Sequence, residues 1–118
     1  MPVAMAGTAI DLGTLRLFVG EDDEAAVMDF LARFFARIDA DMQCMRTTIA
    51  LQRWSEAMHL AHKMRSSALA IGASGFALLC TAFENMGPNP GERQVRSGFA
   101  AMELSFDEMR RAVSSICL

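Results

Sequence analysis

From Val27 the apolar positions fall at Phe30, Leu31, Phe34, Ile38, Met42, Met45 and Ile49, a period near 3.6 held for about six turns. No proline or glycine interrupts this stripe before Leu51. A stripe of that period suits a helix and does not suit a strand, whose side chains alternate between faces. One apolar face of that length has to be covered by something else, so further apolar helices are required.

The rest of the chain supplies them. After a break at Gln52-Arg53, Trp54 opens a second helix, with Trp54, Ala57, Ala61, Met64, Ala68 and Ile71 gathered on one side and Gly72 at its end. Gly72-Ala73-Ser74-Gly75 reads as a turn with Ser74 as N-cap of a helix over 75–86. Phe76, Leu79, Ala82, Phe83 and Met86 are its expected core positions. Gly87-Pro88-Asn89-Pro90-Gly91 is the clearest loop. Asn89 is its expected N-cap for the last helix, with Pro90 at the first helical position and Glu92 at the third. Val95, Phe99, Met102, Phe106, Met109, Val113 and Ile116 then alternate steps of four and three. Such a heptad is compatible with a coiled-coil dimer, but at about three heptads beside three other apolar helices it fits an intramolecular bundle better. The expected fold is all-α: an antiparallel, up-down-up-down four-helix bundle.

Ahead of these helices, residues 1–9 read as a loose tail and 10–118 as a single domain. Asp11 to Val19 predicts a short additional helix, with Leu12, Leu15 and Phe18 on one side and Gly20 as its stop. Glu21-Asp22-Asp23-Glu24 gives the first long helix an acidic start that complements its dipole. A metal bound by these four acids is disfavoured, because consecutive residues diverge around a helix.

Composition removes several classes of function. A chain of 118 residues fits one domain, and its formal charge of −3 offers no broad basic field to nucleic acid. Cys44, Cys80 and Cys117 are odd in number and widely spaced, so neither a disulfide framework nor a metal cluster follows. Cys44 and Cys80 are expected as small packing residues. The N-terminus lacks a basic segment before its apolar residues, and no stretch approaches the ~20 apolar residues of a membrane span. These features predict a soluble, cytoplasmic protein with reduced thiols.

Chemistry concentrates in the second helix. His62 projects about a third of a turn from the centre of the core stripe, with its ring reachable from solvent. Arg65 at i+3 and Ser66 at i+4 are its neighbours on the helix surface, and Lys63 follows directly on a long stem. A neutral imidazole is a good nucleophile near pH 7, and a phosphoryl group on it would find cationic and hydroxyl donors within reach. The plain alternative is a surface histidine on a solvated face. His59, three residues earlier, has Glu56 as its only further candidate ligand in that helix, so a solvated surface is favoured over a metal site.

The run His62-Lys63-Met64-Arg65-Ser66-Ser67-Ala68-Leu69-Ala70-Ile71-Gly72-Ala73 resembles the signature of histidine-containing phosphotransfer (HPt) domains. That signature is a histidine, a basic residue three on, small residues, then a Leu/Ile-Gly-Ala helix end. Leu78-Leu79-Cys80-Thr81-Ala82-Phe83-Glu84 is similar to the family's next helix, and Leu17 to Glu24 to the entry into its first long helix. The resemblance extends over residues 10 to 115. It implies that His62 is a phosphoacceptor, exchanging a phosphoryl group with receiver-domain aspartates, and that Lys63 and Arg65 hold phosphoryl oxygens. Glu84 is a candidate for orienting the imidazole from the neighbouring helix, with an ordinary surface carboxylate as the favoured plain reading. Ser66 stands where the family commonly has glycine, which implies less clearance for an approaching partner.

The implied partners are response-regulator receiver domains and a hybrid histidine kinase, and the receiver brings its own Mg²⁺, so no cofactor is expected here. No Walker-type phosphate loop occurs, and the chain has no room for an ATP-binding domain; a monomeric carrier is expected rather than a kinase. Met58, Leu69 and Phe18 are candidate docking residues. Two other readings stay open: a bundle that binds or sequesters regulators without transfer, and a dimeric kinase-core fragment.

Overall fold

The computed structural model describes Ile10, Asp11, Gly13 and residues 24–117 of the chain. Among the described residues it is all-helical, with four helices: α1 Glu24–Ala50, α2 Trp54–Ala70, α3 Ser74–Glu84 and α4 Glu92–Cys117. Each packs on the next, and α1 and α4 also touch, so the four close around one core. The short helix expected over Asp11 to Val19, with Phe18, lies outside the described residues apart from Asp11 and Gly13.

The long stripe buries itself as its period requires. Val27, Leu31, Phe34, Ile38, Met42 and Met45 are buried, together with Ala57, Ala61, Met64, Ala68 and Ile71 of the second stripe. Val95, Phe99, Met102, Phe106 and Met109 complete the lining from α4. Thr48, rather than Ile49, takes the last core place on α1; its hydroxyl donates to the Met45 carbonyl at 2.9 Å, which makes burial tolerable. Trp54 is half-buried against the core. Two ion pairs join α1 to α4 in reversed order, Arg46 with Glu103 and Asp39 with Arg110.

Several local expectations are corrected. Ser74 is the first helical residue of α3, and Ala73, without a capping side chain, precedes it. The core face of α3 is Phe76, Ala77, Cys80 and Phe83; Ala82 is exposed and Leu79 half-buried. The last helix starts at Glu92, so Asn89 and Pro90 stay in the loop; the Val95 N–H donates to the Gly91 carbonyl instead. Cys44 is exposed, whereas Cys80 is buried.

The turn after α2 positions the site. Gly72 (φ +77°) donates its N–H to the Leu69 carbonyl, and Ala73 donates to the Ala68 carbonyl at 2.8 Å. This left-handed cap ends α2 and turns the chain toward α3. Gly72 also accepts the Asp11 N–H at 3.0 Å, and Ile10 beside it is buried, so the start of the domain is fastened to the α2–α3 turn.

Candidate functional site

His62 sits on α2 at the edge of the buried face, its side chain 47% exposed, between buried Ala61 and the exposed Lys63. Its Nδ1 lies 2.6 Å from Oε2 of Glu84, near the end of α3. The same carboxylate meets Arg65, with Nη1 3.5 Å from Oε1, while Arg65 Nη2 lies 3.3 Å from His62 Nδ1. A ring nitrogen cannot both donate to a carboxylate and accept from a guanidinium. The shorter, charge-assisted contact decides: Nδ1–H donates to Glu84, and Arg65 is held beside the ring by the carboxylate. The lone pair is then on Nε2, the nitrogen that Glu84 does not occupy.

The other expected site residues are distributed around this centre. Lys63 points to α1, where its Nζ lies 3.7 Å from Oδ1 of Asp41. Ser66 is exposed one turn after His62, and Leu69 is exposed a turn beyond. Leu78, on α3, is the most exposed large apolar side chain among the described residues, whereas Met58 is half-buried. His59 is exposed, and Glu56, its candidate co-ligand, pairs with Arg53 at 3.8 Å. Among the described residues no group of three or more metal-ligating side chains converges.

Beneath Glu84, one turn back on α3, Cys80 is fully buried. Burial pushes its thiol up to about 12; the Arg65 charge pulls the other way, and Glu84 adds to the rise. It is a packing thiol, not a nucleophile. Asp41 escaped the sequence reading altogether. It lies on α1 beside the stripe positions Ile38 and Met42, and nothing local in the sequence says which helix it will face.

The described residues thus form a closed helical bundle that presents a half-exposed imidazole, paired at one nitrogen with a carboxylate that also holds Arg65. The model of the Hpt domain matches residues 29–115, and the chain belongs to that family. Its role is phosphotransfer in two-component signalling. No curated protein matches the chain. No helix among the described residues is long and apolar enough to cross a membrane.

Proposed function

We propose that this protein is a phosphorelay carrier in which His62 takes a phosphoryl group from the aspartate of one receiver domain and gives it to the aspartate of another. The Nδ1–H donated to Glu84 at 2.6 Å carries this reading, because it leaves the nucleophilic lone pair on Nε2 at a half-exposed ring. Nε2 attacks phosphorus, the bond from phosphorus to the aspartyl oxygen breaks, and the free aspartate carboxylate is left on the donor. The proton on Nδ1 stays with the Glu84 pair, and the charge of the imidazolium-like ring is balanced by that carboxylate. The onward step is the reverse, on a second aspartate.

In such a loose transition state the protein's contribution is position and charge. Arg65 is held beside the ring, Lys63 is one residue away, and Ser66 offers a hydroxyl at i+4. Mg²⁺ is the receiver's own, and a hybrid histidine kinase is the source of the first phosphoryl group. Leu69 and Leu78, both exposed on the two helices that carry His62 and Glu84, form the apolar part of the docking surface. The bundle is up-down-up-down, supported by the reversed order of the α1–α4 ion pairs and the turn at Gly72, and acts as a cytoplasmic monomer.

The test is transfer from a panel of phosphorylated, Mg²⁺-loaded receiver domains to the native chain and to His62→Gln. Label is expected on the native chain and absent from the variant. Label on neither, with regulators still bound, would replace transfer by sequestration.

A further inference from the structure

His62 stands between two ion pairs that reach α2 from its neighbours on either side. Lys63 pairs with Asp41 of α1, and Arg65 pairs with Glu84 of α3. Arg65, 3.3 Å from the ring, and Lys63, the next residue along α2, are therefore both shared with carboxylates before any phosphoryl group arrives. Asp41 is the least exposed of the four, at 16% against 44% for Lys63, so its carboxylate depends on that ammonium for the solvation it has lost.

A phosphoryl group on Nε2 adds close to two negative charges and would compete for the same ammonium, which sits on a long stem one residue along the helix. A cation held by a carboxylate stabilises the phosphorylated form less than a free one. Glu84 cannot be relieved of its cation without disturbing the ring it orients, because one carboxylate serves both. Asp41 touches only the lysine side of the site.

We propose that Asp41 is a positioning residue that draws Lys63 toward α1 and so keeps the phosphorylated histidine ready to surrender its group. The inference rests on the phosphotransfer reading above. It assigns to a residue on another helix part of the balance between phosphohistidine and receiver phosphoaspartate.

The experiment compares the native chain, Asp41→Asn, Lys63→Ala and the double variant, each first shown by circular dichroism to be folded at the assay temperature. Each is loaded with phosphoramidate and mixed with a Mg²⁺-loaded receiver domain, and forward and reverse transfer rates give the equilibrium ratio. Asp41→Asn is expected to shift that ratio about two- to fivefold toward phosphohistidine, the range expected for a pair with one partner still largely in solvent. In the Lys63→Ala background the shift is expected to vanish. An unmoved ratio, a shift toward phosphoaspartate, or a shift that survives without Lys63 overturns the proposal.

A second readout needs no receiver. Phosphorus NMR titration of the loaded chains should show the last phosphoryl proton lost at lower pH in Asp41→Asn, since a freed ammonium favours the dianion. An unchanged titration overturns the proposal too. Failure of all chains to take label from phosphoramidate and from receivers overturns the phosphotransfer reading and this inference together. A labelled native chain with an unmoved ratio overturns this inference alone.

Discussion

Glu84 holds two partners with one carboxylate, Oε2 on the imidazole and Oε1 on the guanidinium, and its side chain is only about a quarter exposed. Removing it should release both at once. Glu84→Ala is expected to slow phosphorylation of His62 by about ten- to a hundredfold, because the ring loses both its tautomer and its aim. Glu84→Gln still accepts from Nδ1–H and should lose much less; initial rates with one receiver domain separate the two. Cys80 gives a residue-scale test of a different kind. With its thiol held near 12 by burial, iodoacetamide should modify exposed Cys44 in the native protein and spare Cys80. The folded state keeps the Cys80 proton that the unfolded chain releases above pH 9, so its contribution to stability is complete below that pH. As pH rises from 9 toward 12 the protein should lose about 1.4 kcal/mol per unit through this group. Urea melts at pH 8 and 10.5 should show that loss in the native chain and less of it in Cys80→Ala. His62 and Arg65 were legible in the sequence as neighbours at helical spacing, whereas the family pattern offered Glu84 only as a candidate beside the plain reading of a surface carboxylate. Asp41 was not, since its role depends on which way α1 is rotated against α2.

At the scale of the element, the ends of α1 and α2 use the same left-handed cap with different residues. In both, the residue two beyond the helix donates to the carbonyl of the residue one before its end, and the following N–H reaches one residue further back. Gly72 occupies the left-handed position after α2 and Gln52 (φ +58°) the one after α1. A Cβ on Gly72 would lie 2.7 Å from Asp11 Cβ and 2.9 Å from the Asp11 carbonyl oxygen, and backbone cannot step aside as a flexible side chain can. Gly72→Ala should therefore cost about 1–3 kcal/mol in urea unfolding. Gln52→Gly relieves strain and should add about 0.5–1 kcal/mol, less the extra freedom gained by the unfolded chain. The Gly72 stop could be read from sequence because glycine announces a left-handed turn. Gln52 gives no such signal. Ser74 and Pro90 misled for a related reason. Each is a good start residue wherever it occurs, but the turn at Gly72 puts Ser74 already inside α3, and the loop holds Pro90 before α4 begins.

For the whole molecule, the four stripes were enough to foretell four helices around one core, because each apolar face is satisfied only by the others. The pattern on α3 was the weakest part. That helix is short and apolar almost all round, so periodicity could not choose between Ala82 and Cys80 for the inner face. The core fixes α2 against α3, and that packing brings Glu84 under His62; the exposed ion pairs between α1 and α4 add little to stability. The phosphorelay proposal has the bundle display His62 with Nε2 free. It is tested most directly by loading the ¹⁵N-labelled chain with phosphoramidate and locating the phosphorus by ³¹P–¹⁵N NMR. The account requires a single phosphohistidine, on Nε2 of His62, with Nδ1 still carrying its proton. Phosphorus on Nδ1 of His62, or on His59, would contradict it.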